Sequence, residues 1–154
     1  MIGWMTSRVM TSITVLVIAG SFLGLFTMQA DHYRILELED LADAFTDLVT
    51  EVDLLTCEAR VEVNWTSSAE AHGLPRDFHG EPYLIQFSSE RPYLVWRGTR
   101  VGGRYFPTPV ELLDTEGEPT MLLEVPSSTG FVIGSSSQWG ERGMEHPITI
   151  SPLP

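Results

Sequence analysis

Residues 9–30, VMTSITVLVIAGSFLGLFTMQA, contain no charged side chain, and beyond Gly24 neither proline nor glycine occurs until Gly73. An apolar helix therefore leads straight into whatever follows it, because nothing in between favours a break. At about 1.5 Å per residue, the 22 residues of this run span roughly 33 Å, the depth of a hydrocarbon core. A cleaved secretory signal is the competing reading, but its apolar region runs to about 7–15 residues, and Met28-Gln29-Ala30 only half matches a small-x-small cleavage site. We expect an uncleaved anchor. Arg8 precedes the span, whereas Asp31, Glu37, Glu39 and Asp40 follow it, so the positive-inside bias places the N-terminus in the cytoplasm and everything after residue 30 outside. Gly20 and Gly24, with Ser21 nearby, form a small-xxx-small face on which another helix can approach closely; a single lipid-facing anchor is the plainer alternative.

The next segment, ILELEDLADAFTDLVTEVDLLTCE, keeps the helix but changes its solvent. Leu38, Leu41, Phe45, Leu48, Val52 and Leu55 follow one another at spacings of 3, 4, 3, 4 and 3, a seam with a 3.5-residue period. Residues 31–58 carry nine carboxylates against the single Arg34, so two copies of this helix zipped together would repel each other. The seam needs a different apolar surface, and part of the acidic rim needs a basic one. Residues 91–110, RPYLVWRGTRVGGRYFPTPV, supply such a surface: Arg91, Arg97, Arg100 and Arg104 lie among Tyr93, Trp96, Tyr105 and Phe106, with no acid. The acidic helix is expected to meet this stretch within one subunit or between two; a solvated hairpin with scattered charges is the bland alternative.

After Cys57 the period changes to two. RVEVNWT places Val61, Val63 and Trp65 on one side and Glu62 and Asn64 on the other, and YLIQFSS, PYLVWR, RYF, TMLLEV, GFVIGSS and ITI are further strand candidates separated by turn sequences. The fold class expected is α+β: an N-terminal helix over residues 1–58, transmembrane or filament core and then amphipathic, followed by an all-β sandwich-like head over residues 59–154. Residues 67–82, SSAEAHGLPRDFHGEP, lack periodicity and read as a loop.

Composition excludes several functions. A formal net charge of -12 repels a nucleic-acid backbone, and Cys57, the one cysteine, permits no intrachain disulfide and reads as a buried apolar thiol. His72 and His79 flank Asp77, with Glu81 following, but six-residue spacing on a loop is too permissive to define a metal site; His32 and His146 read as solvated. GSSSQWG does not meet the Gly-x-Ser-x-Gly elbow, and no phosphate loop occurs. We expect no enzyme activity, no cofactor, no metal and no small-molecule substrate. Asn64, the only asparagine, opens an Asn-Trp-Thr sequon and is a possible glycosylation site if the head lies outside the cell.

The order of an apolar helix, an unbroken acidic amphipathic continuation and a β-rich head resembles a type IV pilin-like subunit across the whole chain. The outward-facing acidity resembles the archaeal branch that includes archaellins and adhesion pilins. The glutamate that many bacterial pilins place near the start of the apolar segment has no counterpart in VMTSITVLVIAGSFLGLF, which leans the same way. The resemblance implies a cell-surface filament: the membrane holds the chain before assembly, the apolar half then packs against copies of itself in the filament core, and the heads form the outer sheath. A helix running without a hinge from about residue 6 to residue 57 would let one rod of roughly 75 Å serve both parts. An anchored β-domain that binds a surface layer, or an accessory subunit of a membrane complex, remains open beside it.

Overall fold

The computed structural model describes residues 2–55, 59–65, 74–135, 138–140, 143–145 and 147–153. One helix, α1, runs without a break over Ile2–Leu54, across the boundary between Ala30 and Asp31. It carries no acid in its first turn and no base in its last, where Glu51 and Asp53 oppose the helix dipole. Capping therefore does little for its C-terminal half, and tertiary packing holds it.

Two compact units are present, residues 1–37 and residues 38–154. The division falls inside α1 rather than after residue 58. The reason is that Leu38, Ala42, Phe45, Leu48, Val49 and Val52 are buried in the second unit and belong to its core. Residues 38–54 are thus part of the head.

Among the described residues eleven strands follow: β1 (Ala59–Asn64), β2 (Leu84–Ser88), β3 (Pro92–Trp96), β4 (Thr99–Gly102), β5 (Val110–Leu113), β6 (Pro119–Thr120), β7 (Leu122–Pro126), β8 (Gly130–Ser135), β9 (Gln138–Gly140), β10 (Gly143–Glu145) and β11 (Ile148–Pro152). Among the described residues no helix occurs after Leu54. One sheet has the order β1-β8-β11-β5-β6 and is antiparallel except where β11 runs parallel to β5, with Ile148 opposite Val110. The second, β4-β3-β2-β7, is antiparallel throughout, and β9 and β10 form a separate pair. The fold is α+β with a sandwich-like head, as the strand periodicity predicts.

The alternation of each strand decides what enters the core. β1 turns Val63 inward, β8 Phe131 and Ile133, β11 Ile148 and Ile150, and β5 Val110 and Leu112; the other sheet contributes Ile85, Phe87, Leu94, Leu123 and Val125. Phe45 of α1 touches residues of both sheets. Its ring lies 6.2 Å from Phe87 of β2, 5.9 Å from Phe131 of β8 and 6.4 Å from Trp65, and Phe87 and Phe131 meet edge-on at 5.0 Å. Such offset and tilted pairs add to area burial.

Three local features depart from the sequence reading, two in the strands and one at the end of the helix. RYF, residues 104–106, is no strand, because its backbone donors point elsewhere: Arg104 N–H donates to Asp43 Oδ1 at 2.7 Å and Phe106 N–H to the Glu90 carbonyl at 2.7 Å. The hairpin joining β3 to β4 turns on Arg97 and Gly98, both with positive φ (49° and 79°), a type I′ pair in which glycine supplies the second left-handed residue. Leu55 ends outside the seam, 43% exposed, because the helix closes on a tight bond from its N–H to the Val52 carbonyl. Cys57, His72 and His146 lie outside the described residues.

Two substitutions test the core. Phe45→Ala should remove about 3–5 kcal/mol from head stability, read from denaturant unfolding of the full chain in detergent. Tyr83 is buried, with its hydroxyl donating to the Pro75 carbonyl at 2.5 Å, and burial, helped by Asp77, pushes its pKa well above that of an ordinary tyrosine. The unfolded chain then gives up this proton first, so above pH of about 10 the folded state is progressively disfavoured. In an alkaline absorbance titration Tyr83→Phe should abolish the ionisation step that coincides with unfolding; a step that persists in the variant would place the late proton elsewhere.

Candidate functional site

Two surfaces carry the chemistry that distinguishes this chain: the apolar half of α1 and the arginine-bearing stretch of the head. In the first, Met10, Leu16, Phe22, Leu23, Phe26 and Met28 are all exposed, and α1 is long and apolar enough to cross a membrane. Three hydroxyls along it are satisfied within the helix. The hydroxyls of Thr14, Ser21 and Thr27 donate to the carbonyls of Met10 (2.9 Å), Val17 (2.8 Å) and Gly24 (2.9 Å). This back-bonding lets hydroxyl side chains sit in an apolar medium. A Cβ added at Gly20 or Gly24 meets nothing within 4 Å, so the small-residue face is open in the single chain. Past the apolar run, Arg34 pairs with Asp31 at 3.1 Å, and His32 is exposed.

The sequence leaves open which surface covers the six seam residues; the chain's own head covers most of them. Leu38, Phe45, Leu48 and Val52 are buried in the chain's own head, Leu41 packs against that core, and Leu55 is exposed. None of the four buried residues has surface left to offer a second subunit. Ala42 and Val49, which the 3.5-residue reading passes over, are also fully buried. The stripe is wider than a coiled-coil seam because the helix faces a two-sheet core rather than one partner helix. The small side chain of Ala42 was the available signal: a Cβ on Gly103 would stand 2.6 Å from the Ala42 carbonyl oxygen, so the β4–β5 connection crosses α1 at close range.

The four arginines divide into two kinds. Arg104 reaches α1, with Nε 3.1 Å from Asp43 and Nη2 2.5 Å from Asp47, while its carbonyl accepts from Thr46 Oγ1 at 3.0 Å. The hydrogen bond it donates to Asp47 is the main reason its pKa rises. Arg97 grips Glu81 through both carboxylate oxygens, Nε to Oε2 at 2.6 Å, and stacks over Trp96 at 4.9 Å. That hydrogen bond holds the Glu81 carboxyl below the usual carboxylate range. It also ties the β3–β4 turn to the His79-Gly80 turn, whose residues have φ of 52° and 77°.

Arg91 and Arg100 meet aromatic rings instead. Arg100 lies 3.8 Å over Tyr93; Arg91 stands 4.7 Å from Tyr93 and 4.8 Å from Tyr105, and donates from Nε to the Tyr93 hydroxyl at 2.8 Å. Only Arg104 of the four therefore touches the acidic helix within the chain.

Other candidates resolve as follows. Asn64 ends β1 half-buried, with its amide donating to Glu62 at 3.3 Å, and Thr66 of its sequon is outside the described residues. Among the described residues no group of three or more His, Cys, Asp or Glu is placed to hold a metal, and His72 falls outside them. An open depression on the outer face of the five-stranded sheet is lined by Arg60, Gly134, Thr149 and Ser151, and no imidazole or carboxylate stands among its lining residues.

The crossing of α1 by residues 103–104 separates packing from charge. Gly103→Val should destabilise the head by about 1–3 kcal/mol through overpacking against Ala42, with little dependence on salt. Arg104→Gln should cost less, and its effect should shrink between 0.05 and about 1 M salt as screening removes the pairs with Asp43 and Asp47. Thermal melts of both variants across that salt range check the distinction. Comparison of the chain with protein-family models, with curated proteins and with solved structures gives no significant match.

Proposed function

We propose that this chain is the structural subunit of a cell-surface filament of the type IV pilin kind, held in the membrane by the apolar half of α1 before assembly and polymerising through it. The observation that carries the reading is the division of one unbroken helix between two environments: residues 10–28 expose their apolar side chains, while Leu38, Phe45 and Val52 are buried in a β head. A side-chain surface such as that of residues 10–28 is stable in lipid or against other apolar helices, not in water. Arg8 before the span and the carboxylates after it favour a cytoplasmic N-terminus and an external head. Neighbouring copies pack along Gly20 and Gly24, where a helix axis can approach closely.

Negative-stain imaging of membrane-extracted material tests the reading directly. Filaments with a helical repeat of one kind of chain are expected, and particles holding one copy among unlike chains would overturn it in favour of an accessory subunit. Gly24→Leu sharpens the test. It meets no obstacle in the single chain and raises helix propensity by up to about 1 kcal/mol, so it should leave head unfolding unchanged. Loss of filaments in this variant locates the helix contact at Gly24, and unaltered filaments would remove that face from it.

A further inference from the structure

Arg91 and Arg100 are the unusual members of the basic stretch. In a chain with 21 acidic side chains and nine arginines, neither has a carboxylate within ion-pair distance among the described residues. Glu90 raises the Arg91 pKa only from farther away, after the Tyr93 hydrogen bond. What holds them is a ladder, Arg100 on Tyr93, Tyr93 beside Arg91, Arg91 on Tyr105, assembled across β3, β4 and the segment after β4. Gly102 makes room for it: a Cβ there would come within 3.1 Å of the Tyr93 ring and 3.3 Å of the Arg91 guanidinium carbon. A guanidinium held over a ring keeps edge N–H groups with which it can bind a carboxylate; Arg91 gives its Nε–H to the Tyr93 hydroxyl and keeps the others. Tyr105 is 63% exposed and Arg100 is exposed, so the ladder is a charged platform on the surface.

The matching acceptors are on α1. Asp40, Asp43, Asp47 and Glu51 recur at spacings of 3, 4 and 4 along its solvent side, opposite the buried stripe. Arg104 of the same chain neutralises the middle two, and among the described residues Asp40 and Glu51 at the ends are exposed with no cation within ion-pair distance.

We propose that the Arg91–Tyr93–Arg100–Tyr105 platform of one copy docks on the Asp40 to Glu51 carboxylate row of a second copy. Charge complementarity selects this occupant, because each chain carries an unpaired donor surface and an unpaired acceptor surface that are different patches. Such a heterologous contact adds copies in succession instead of closing a pair. The inference rests on the reading of the chain as a self-associating subunit and names the contact between heads.

The test uses the full chain in mild detergent, with association followed by light scattering or sedimentation. Arg100→Glu, and separately the double variant Asp40→Arg with Glu51→Arg, should each weaken association by about tenfold or more at low salt, with the deficit shrinking as salt rises. An equimolar mixture of the two should recover association, because the altered platform then faces the altered row and the intact platform faces the intact row. Melting curves matching wild type confirm that each variant is folded. Wild-type association in Arg100→Glu, or a mixture of folded variants that fails to recover, overturns the proposed contact and leaves the filament reading standing. A wild-type chain that stays monomeric throughout overturns both.

Discussion

The structure depends on the insertion of Phe45 between two sheets. Its ring packs against Phe87 from one sheet and Phe131 from the other, and Trp65 closes the same cluster. Without residues 38–54 of α1 the two sheets would expose facing apolar surfaces around these rings. Burying Leu38, Ala42, Phe45, Leu48, Val49 and Val52 together contributes on the order of several kcal/mol, at about 25 cal/mol per Å² of apolar surface removed from water. That contribution offsets the unfavourable end of the helix, where Glu51 and Asp53 face a negative dipole and no basic residue lies in the last turn. Residues 38–54 of α1 are thus an internal element of the head.

Much of this was legible in the sequence, and the residues that were not have physical explanations. An uncharged run followed by a 3.5-residue period with no breaker predicts the single helix, and period-two alternation predicts β1, β2, β3, β7, β8 and β11. Ala42 and Val49 escaped because a pattern built on large apolar residues at one spacing describes a helix facing another helix, whereas this one faces two sheets. RYF alternates as a strand does, yet its Arg104 N–H is claimed by Asp43, a residue 61 positions away that no local pattern reveals. The hairpin at Arg97-Gly98 was missed for a similar reason. Its first left-handed residue is an arginine instead of the asparagine or glycine that marks such turns, and it is held there by Glu81 and the Trp96 ring.

The segregation of charge also read correctly as a fact of sequence but not as a map of contacts. Four arginines in an acid-free stretch invite the inference that all of them seek the acidic helix. Strand geometry decides otherwise, because alternation sends each side chain to a face. Arg100 sits opposite Val95, and Tyr93 opposite Gly102, so Arg100 and Tyr93 meet on the outer face of the sheet. Arg104 lies past the end of β4, where the chain crosses α1 and its guanidinium can span Asp43 and Asp47. Spacing along the chain thus gave the supply of charge, and the register of two strands gave its destination.

The same geometry restricts how such chains can associate. The apolar side of residues 38–52 is consumed by the head, and the opposite side presents carboxylates, so two copies cannot pair like faces of this part of α1 without crowding negative charge. Residues 10–28 keep an apolar surface exposed, with Gly20 and Gly24 open along it, on which other apolar helices could pack. A contact between copies that used the acidic row would have to bring a cation to it, because Arg104 is already committed within its own chain. Apolar packing in one stretch and ionic register in another respond oppositely to ionic strength: raising salt strengthens burial and screens pairing. An assembly built from both would keep its helix contacts in concentrated salt while its heads loosen, whereas an anchored monomer would show neither response.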